Sequence, residues 1–311
     1  MKTVQIFQTL FLLPSAISAA WHPPQCDRHK AEEVLLSTGS CCGALSYFLR
    51  GKISYANTAS YNVSLASYWA LQESQIQPTC IISPTTAQDV SLTIYLLVAG
   101  NKTYPHQCQF AVKSGGHTWW AGAANIASGI TIDLAPLNEV TVSPDQTLVR
   151  IGPGNRWKDV YTVLDALSLS TSGGRVGDVG VGGLILGGGI SFFSPRFGWV
   201  CDNVMNFEIV LASGEIVNAN STSNPDLQIA LRGGSNNFGI VTAFDMKLFP
   251  QGDLWGGITV NDISQRAAQF AAFEAFTGNP YYDPYAALIH SEVWIPETNG
   301  WCKKPSRPAS C

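Results

Sequence analysis

The run Phe110-Ala111-Val112 leads into Lys113-Ser114-Gly115-Gly116-His117-Thr118-Trp119-Trp120, and Ala121-Gly122 follows. Adjacent glycines let the backbone adopt positive φ and let another molecule approach the main chain, while a histidine directly after them offers a nucleophilic or ligating nitrogen at the same place. Main-chain amides and a lysine suit an anion. The reading is therefore a strand that opens into a ligand-binding loop.

A second unusual stretch, residues 172–189, holds nine glycines in eighteen positions, interleaved with Val, Leu and Ile. Flexible linkers are polar and serine-rich, so this composition reads as ordered backbone packed against something flat or charged. Gly180-Val181-Gly182-Gly183 approaches a dinucleotide fingerprint, but no amphipathic helix with an acidic residue about twenty positions on accompanies it. A phosphate-binding loop ending in Gly-Lys-Ser/Thr is absent from the sequence.

The chain has 311 residues, 46% apolar and 13% charged, with a formal net charge of −4. That length suits one large domain or two ordinary ones, and the charge balance gives no basic surface for nucleic acid or anionic lipid. A small molecule is the expected partner. Residues 1–20 read as a secretory signal: Lys2, an apolar run from Val4 to Leu13, then Ser18-Ala19-Ala20. The run is too short for a membrane span. Export agrees with sequons at Asn62, Asn101 and Asn220 and with cysteines at 26, 41, 42, 80, 108, 201, 302 and 311. Their pairing cannot be deduced from spacing, and no cysteine or histidine pattern has zinc spacing.

Strand and helix patterns alternate along the chain. Cys80-Ile81-Ile82 reads as a strand, Thr86 to a stop at Gly100 as a helix, and Phe110-Ala111-Val112 as the next strand. Ile130–Leu134 and Leu148–Ile151 read as half-buried strands joined by a turn at Ser143-Pro144-Asp145. Trp157–Leu167 has helical spacing with Asn155 as its cap, and Phe207–Ala212 and Gly239–Leu248 read as strands. Beyond Pro250, Leu254–Val260 and Ala286–Trp294 read as strands and Gln265–Phe276 as a helix.

These motifs, in this order, resemble the FAD-linked oxidases of the PCMH, or vanillyl-alcohol-oxidase, fold, in particular their berberine-bridge-enzyme-like branch. The likeness runs from about Gln77 to Pro250. It rests on Pro78-Thr79-Cys80-Ile81-Ile82, the Lys113–Trp120 loop with Gly122, Ile132-Asp133-Leu134 with Asn138, and Gly152-Pro153-Gly154 with Trp157. It continues through the Val179–Gly189 loop, Gly198 with Asp202-Asn203, and Leu231–Val241. The fold implied is α+β: a PCMH-type FAD-binding domain of two α/β subdomains over residues 76–250, preceded by an N-terminal segment at 21–75. The start of an incomplete substrate domain at 251–311 follows, as if the chain were truncated.

The resemblance also implies site residues. Lys113, Ser114, Gly115 and Gly116 would wrap the FAD pyrophosphate, and His117 would bond covalently to the flavin. Gly122, Gly174, Val179, Gly180, Gly182, Gly183, Gly187, Gly188, Asn203, Gly239, Ile240 and Val241 would complete the cofactor site. The position that carries a second, cysteine link in many relatives is Val176 here, so attachment should be single and the flavin potential lower. Valine at the gatekeeper position, Val179, implies dioxygen as acceptor. A secreted oxidase of an alcohol or amine C–H in a secondary metabolite or sugar-like molecule is the expected function, with an inactive FAD-binding fragment as the alternative. A carbohydrate-binding module would explain the tryptophans but not the glycine loops. No catalytic base is readable; Tyr281, Tyr282 and His290 are the first to test.

Overall fold

The computed structural model describes residues 25–104, 106–292, 294–295 and 300–301. The expected signal at 1–20 lies outside them. The first half comprises α1 (Gln25–Thr38), α2 (Cys41–Phe48), β1 (Ile53–Ser54), α3 (Ala59–Ala66), α4 (Leu71–Ser74), β2 (Cys80–Ile82), α5 (Ala87–Thr103), β3 (Phe110–Lys113) and β4 (Ile130–Asp133). Its sheet has the order β1-β2-β4-β3, with β4 parallel to both neighbours. All four residues of β4 are buried, where sequence alternation predicts a half-buried strand. A central parallel strand is covered on both faces, and this one buries the polar Thr131 and Asp133 as well.

Helix α5 starts at a capping box: the Thr86 hydroxyl accepts from the Asp89 amide, and the Asp89 carboxylate accepts from the Thr86 amide. It does not stop at Gly100 but continues to Thr103. Gly100 is a packing glycine, since a Cβ there would lie 2.2 Å from Cys41 Sγ and 2.8 Å from Cys108 Sγ. Those sulfurs form one disulfide, and Cys42 and Cys80 form another. The bridges tie together residues 67 and 38 apart in sequence, and loop-closure entropy assigns each about 4 kcal/mol. Residues from the expected N-terminal segment, among them Leu35, Leu45 and Leu49, pack into the same core as Ile82, Leu97 and Ile132.

The second half continues with β5 (Val140–Val142), β6 (Leu148–Ile151), α6 (Trp157–Asp165), β7 (Leu169–Ser170), α7 (Val181–Leu186), α8 (Ser194–Phe197), β8 (Val204–Val210), β9 (Ile216–Asn220), α9 (Pro225–Leu231), β10 (Ile240–Lys247) and β11 (Phe249–Pro250). Five of its strands form a sheet of order β5-β6-β10-β8-β9 in which every pairing is antiparallel. Phe244 sits opposite both Ile151 and Phe207, and these side chains pack with Trp157 in a second core. The turn at Ser143–Asp145 joins β5 to β6, not β4 to β6, because the chain changes sheet after β4. Arg156, not Asn155, caps α6: the Asn155 amide donates instead to the Glu139 and Gly152 carbonyls. Helix α5 bridges the halves, its Ser91 hydroxyl donating to the Gly214 carbonyl.

After Pro250, the helix expected at 265–276 is present as α10 (Arg266–Thr277), but the strand expected at Leu254–Val260 is not. Among the described residues no strand pairs with that segment, and Leu254, Trp255 and Ile258 are exposed. Apolar residues without a partner ladder do not form a strand. Of the described residues in Ala286–Trp294, only Trp294 enters a strand, in the short pair β12 (Trp294–Ile295) and β13 (Gly300–Trp301).

Asp89 links the start of α5 to β1 through an ion pair with Lys52. Burial opposes ionisation of this carboxyl, but the Lys52 ammonium and the Thr85 amide and hydroxyl outweigh it and hold the pKa below the usual carboxylate value. Its contribution is therefore present above the unfolded pKa of about 4 and lost as pH falls through the lower folded value. Asp89→Ala should cost about 1–2 kcal/mol at pH 7. Urea midpoints of wild type and variant should converge as pH falls below about 4; a gap that persists at pH 2 would exclude the carboxylate as its source.

Candidate functional site

Three chain segments meet where the two sheets face each other. The loop after β3 crosses the glycine-rich stretch at Gly115 and Gly180: a Cβ on Gly115 would lie 2.3 Å from Gly180 Cα, and one on Gly180 would lie 2.5 Å from Gly115 Cα. Only glycine allows that approach. The Ser114 hydroxyl donates to the Pro153 carbonyl at 2.5 Å, which joins the turn after β6 to the same knot. A Cβ on Gly183 would meet no atom within 4 Å, and the same is true of Gly122, where φ is +84°. These glycines leave open space and do not fill a packing gap.

That space is a cavity of about 730 Å³. Its wall includes Ser114, Gly115, Gly116, His117, Gly122, Val179, Gly180, Gly182, Gly183, Gly239, Ile240 and Val241, so most of the site residues expected from the sequence converge on it. Leu134, Pro153 and Leu184 from the same motifs supply apolar lining, as do Phe110, Val210 and, from α5, Ile94 and Val98, which those motifs do not contain. Among the described residues, no acceptor takes the amides of Gly115, Gly116 and His117.

Five expected site residues lie off this wall. Lys113 is 2% exposed, and its ammonium donates to Asp133 Oδ2 at 2.9 Å, Ser67 Oγ at 2.6 Å and the Ser64 carbonyl at 2.9 Å. It braces the loop from behind. Gly174 packs on Trp157, where a Cβ would meet Cδ1 at 2.5 Å. The Gly187 amide closes α7 on the Gly183 carbonyl, and the Gly188 carbonyl accepts from the Cys201 amide. The Asn203 side chain donates to the Phe197 and Trp199 carbonyls. These four shape the wall without facing the cavity.

The segment between α3 and β2 holds the His117 loop in place, which the sequence did not reveal. The Trp69 amide donates to the Gly116 carbonyl at 2.9 Å, and the Tyr68 hydroxyl donates to the Ala124 carbonyl at 2.6 Å. The fully buried Glu73 carboxylate accepts from the amides of Ala124, at 2.8 Å, and Gly122, at 3.2 Å. Burial, with the charges of Asp133 and Glu73, pushes the Tyr68 phenol far above its ordinary pKa, so it stays protonated and donates. The Trp69 indole stacks on the half-buried His117 imidazole, with centroids 4.9 Å apart and planes inclined by 20°. The only signal for these contacts was the unassigned run Tyr68-Trp69 followed by Glu73.

Burial pulls the Lys113 pKa below the lysine range, while the Asp133 carboxylate opposes that shift. Lys113→Met leaves Asp133 buried without its cation and should cost roughly 3–5 kcal/mol. Adding Asp133→Asn should recover part of that loss in urea unfolding. An unchanged midpoint in Lys113→Met would instead return the lysine to an anion-binding role.

The open glycine wall, unpaired amides and apolar lining fit a flat, partly anionic cofactor such as FAD. Residues 78–220 match the family described as FAD binding domain. The chain is 45% identical over 256 residues to an FAD-dependent monooxygenase of Cercospora beticola, a match covering 82% of this chain and 49% of that protein. It is 42% identical over 250 residues to an FAD-dependent monooxygenase of Emericella nidulans, covering 80% and 51%. Among solved structures it is similar to 6-hydroxy-D-nicotine oxidase of Arthrobacter nicotinovorans, with TM-score 0.64 and 26% identity over 73% of this chain and 50% of that one. It is also similar to berberine bridge enzyme in complex with (S)-reticuline, with TM-score 0.59 and 25% identity over 70% and 43%. The chain thus spans about half the length of the curated relatives it matches. By these matches, and by the loops on which they fall, the chain carries an FAD binding domain and belongs to the FAD-linked oxidoreductases of the PCMH, berberine-bridge-like fold.

Proposed function

We propose that this chain holds FAD in the 730 Å³ cavity through a covalent bond to His117, as part of a secreted oxidoreductase that oxidises an alcohol or amine C–H of a small molecule. The observation that carries the reading is the placement of His117 on the same cavity wall as Gly115, Gly116, Gly180 and Gly183. Bound FAD would supply the two-electron acceptor for a hydride. The amides of Gly115, Gly116 and His117 offer donors to its pyrophosphate. Val179 places an aliphatic side chain on the wall at the position that the resemblance ties to oxygen access. Dioxygen as acceptor agrees with relatives named oxidase and monooxygenase.

Attachment through histidine alone is supported by the surroundings of the other candidates. Val176 offers no thiol. Cys201 is buried, and burial pushes its thiol pKa up, so little nucleophilic thiolate forms. Secretion is supported by the residue 1–20 pattern and the two disulfides. Asn62 and Asn101 offer exposed sequons, whereas the Asn220 side chain donates to Asn206.

One observation favours the second reading, a flavin carrier without turnover of its own. Among the described residues, the cavity wall includes no Asp, Glu, Lys or Tyr to take a substrate proton. Tyr281 and Tyr282 are exposed away from it, and His290 contacts Gln269 and Phe270 on α10. Loss of a general base typically costs a factor of about 10² to 10⁴.

The purified chain should be yellow and keep its flavin through acid precipitation, and a tryptic flavopeptide should contain His117 and no cysteine link. His117→Ala should release all flavin on acid treatment. Acid-stable flavin in that variant would sink the assignment.

A further inference from the structure

Among the described residues, no hydrogen bond reaches either ring nitrogen of His117. The contact that sets its ring plane is the stack on Trp69, at 4.9 Å and 20°. Trp69 itself is 59% exposed, so core packing does not account for its place. Its position is nevertheless fixed. Its own amide is bonded to the Gly116 carbonyl; the preceding Tyr68 is buried under the Lys113 ammonium, 4.7 Å from the ring centroid; and Glu73 anchors the far side of the loop.

We infer that Trp69 is a positioning residue for flavin attachment, acting through His117. The inference rests on the covalent reading proposed above. In that reaction an imidazole nitrogen bonds to the 8-methyl carbon of the flavin. One C–H proton and one N–H proton leave, and two electrons pass through the flavin to dioxygen, which with two protons becomes hydrogen peroxide. Positive charge develops on the imidazole as its nitrogen forms the bond and before the N–H proton departs. An indole face stacked on that ring stabilises the charge and restricts the ring to one plane. Trp69 thereby acts on the rate of bond formation and leaves the phosphate-binding amides untouched.

The test adds FAD in air to flavin-free full-length chain and follows conversion of acid-soluble to acid-stable flavin, with noncovalent affinity measured separately in the His117→Ala background. Trp69→Ala should slow attachment about tenfold, whereas Trp69→Phe, which keeps a π face, should stay within about threefold of wild type. Noncovalent FAD affinity should change less than about twofold in both, since the indole contributes through one ring contact only. Attachment by Trp69→Ala at the wild-type rate would overturn the inference while leaving attachment by His117 intact. So would parallel loss of affinity and rate with no rescue by phenylalanine. Acid-stable flavin in His117→Ala would remove the covalent reading, and this inference with it.

Discussion

The site depends on one steric constraint, the backbone contact of Gly115 with Gly180. The first residue opens the loop after β3, rooted in the mixed sheet of the first half, and the second lies in the glycine-rich stretch that feeds the antiparallel half. With the two main chains in van der Waals contact, the sheets are held at a separation that leaves a cavity between β3, α5 and the ends of β8 and β10. Each half is built on a core, the first of which also takes in Val210 and Ile240 from the second half. A side chain at either glycine would have to move one wall of the cavity, because what it meets is backbone and not the flexible end of a side chain.

Behind that contact lies a buried polar frame. Lys113, Asp133, Ser64 and Ser67 saturate one another, and Glu73 takes two loop amides. Burying such groups is costly unless each finds its partners, but once paired they specify a single arrangement. The loop is therefore fixed from the side away from the cavity, while its amides and the His117 ring stay available on the other. Preorganised donors of this kind bind a developing or resident anion without further reorganisation.

Much of this was legible in the sequence where the chemistry is local. Glycine pairs, the Thr86–Asp89 cap and the apolar strands carry their reasons in adjacent residues. A cation beside a glycine loop suggests an anion, and the sequence does not show that Lys113 faces α3 while Ser114 turns to Pro153, since successive strand residues point to opposite faces. Trp69 and Glu73 were missed because they meet the loop only after folding, 48 and 49 or more residues away along the chain. The adjacent Cys41 and Cys42 hid their pairing for a related reason. About 100° of helical rotation separates consecutive residues, which sends one to Cys108 and the other to Cys80.

The central claim, that two glycine loops meet to form one flavin cradle, is tested most directly by titrating FAD against Gly180→Ala in a His117→Ala background, where a covalent bond cannot mask affinity. The account predicts that the protein keeps its far-ultraviolet dichroism and both disulfides but binds FAD at least about tenfold more weakly, because the added methyl forces the walls apart. FAD affinity equal to that of His117→Ala alone would contradict it.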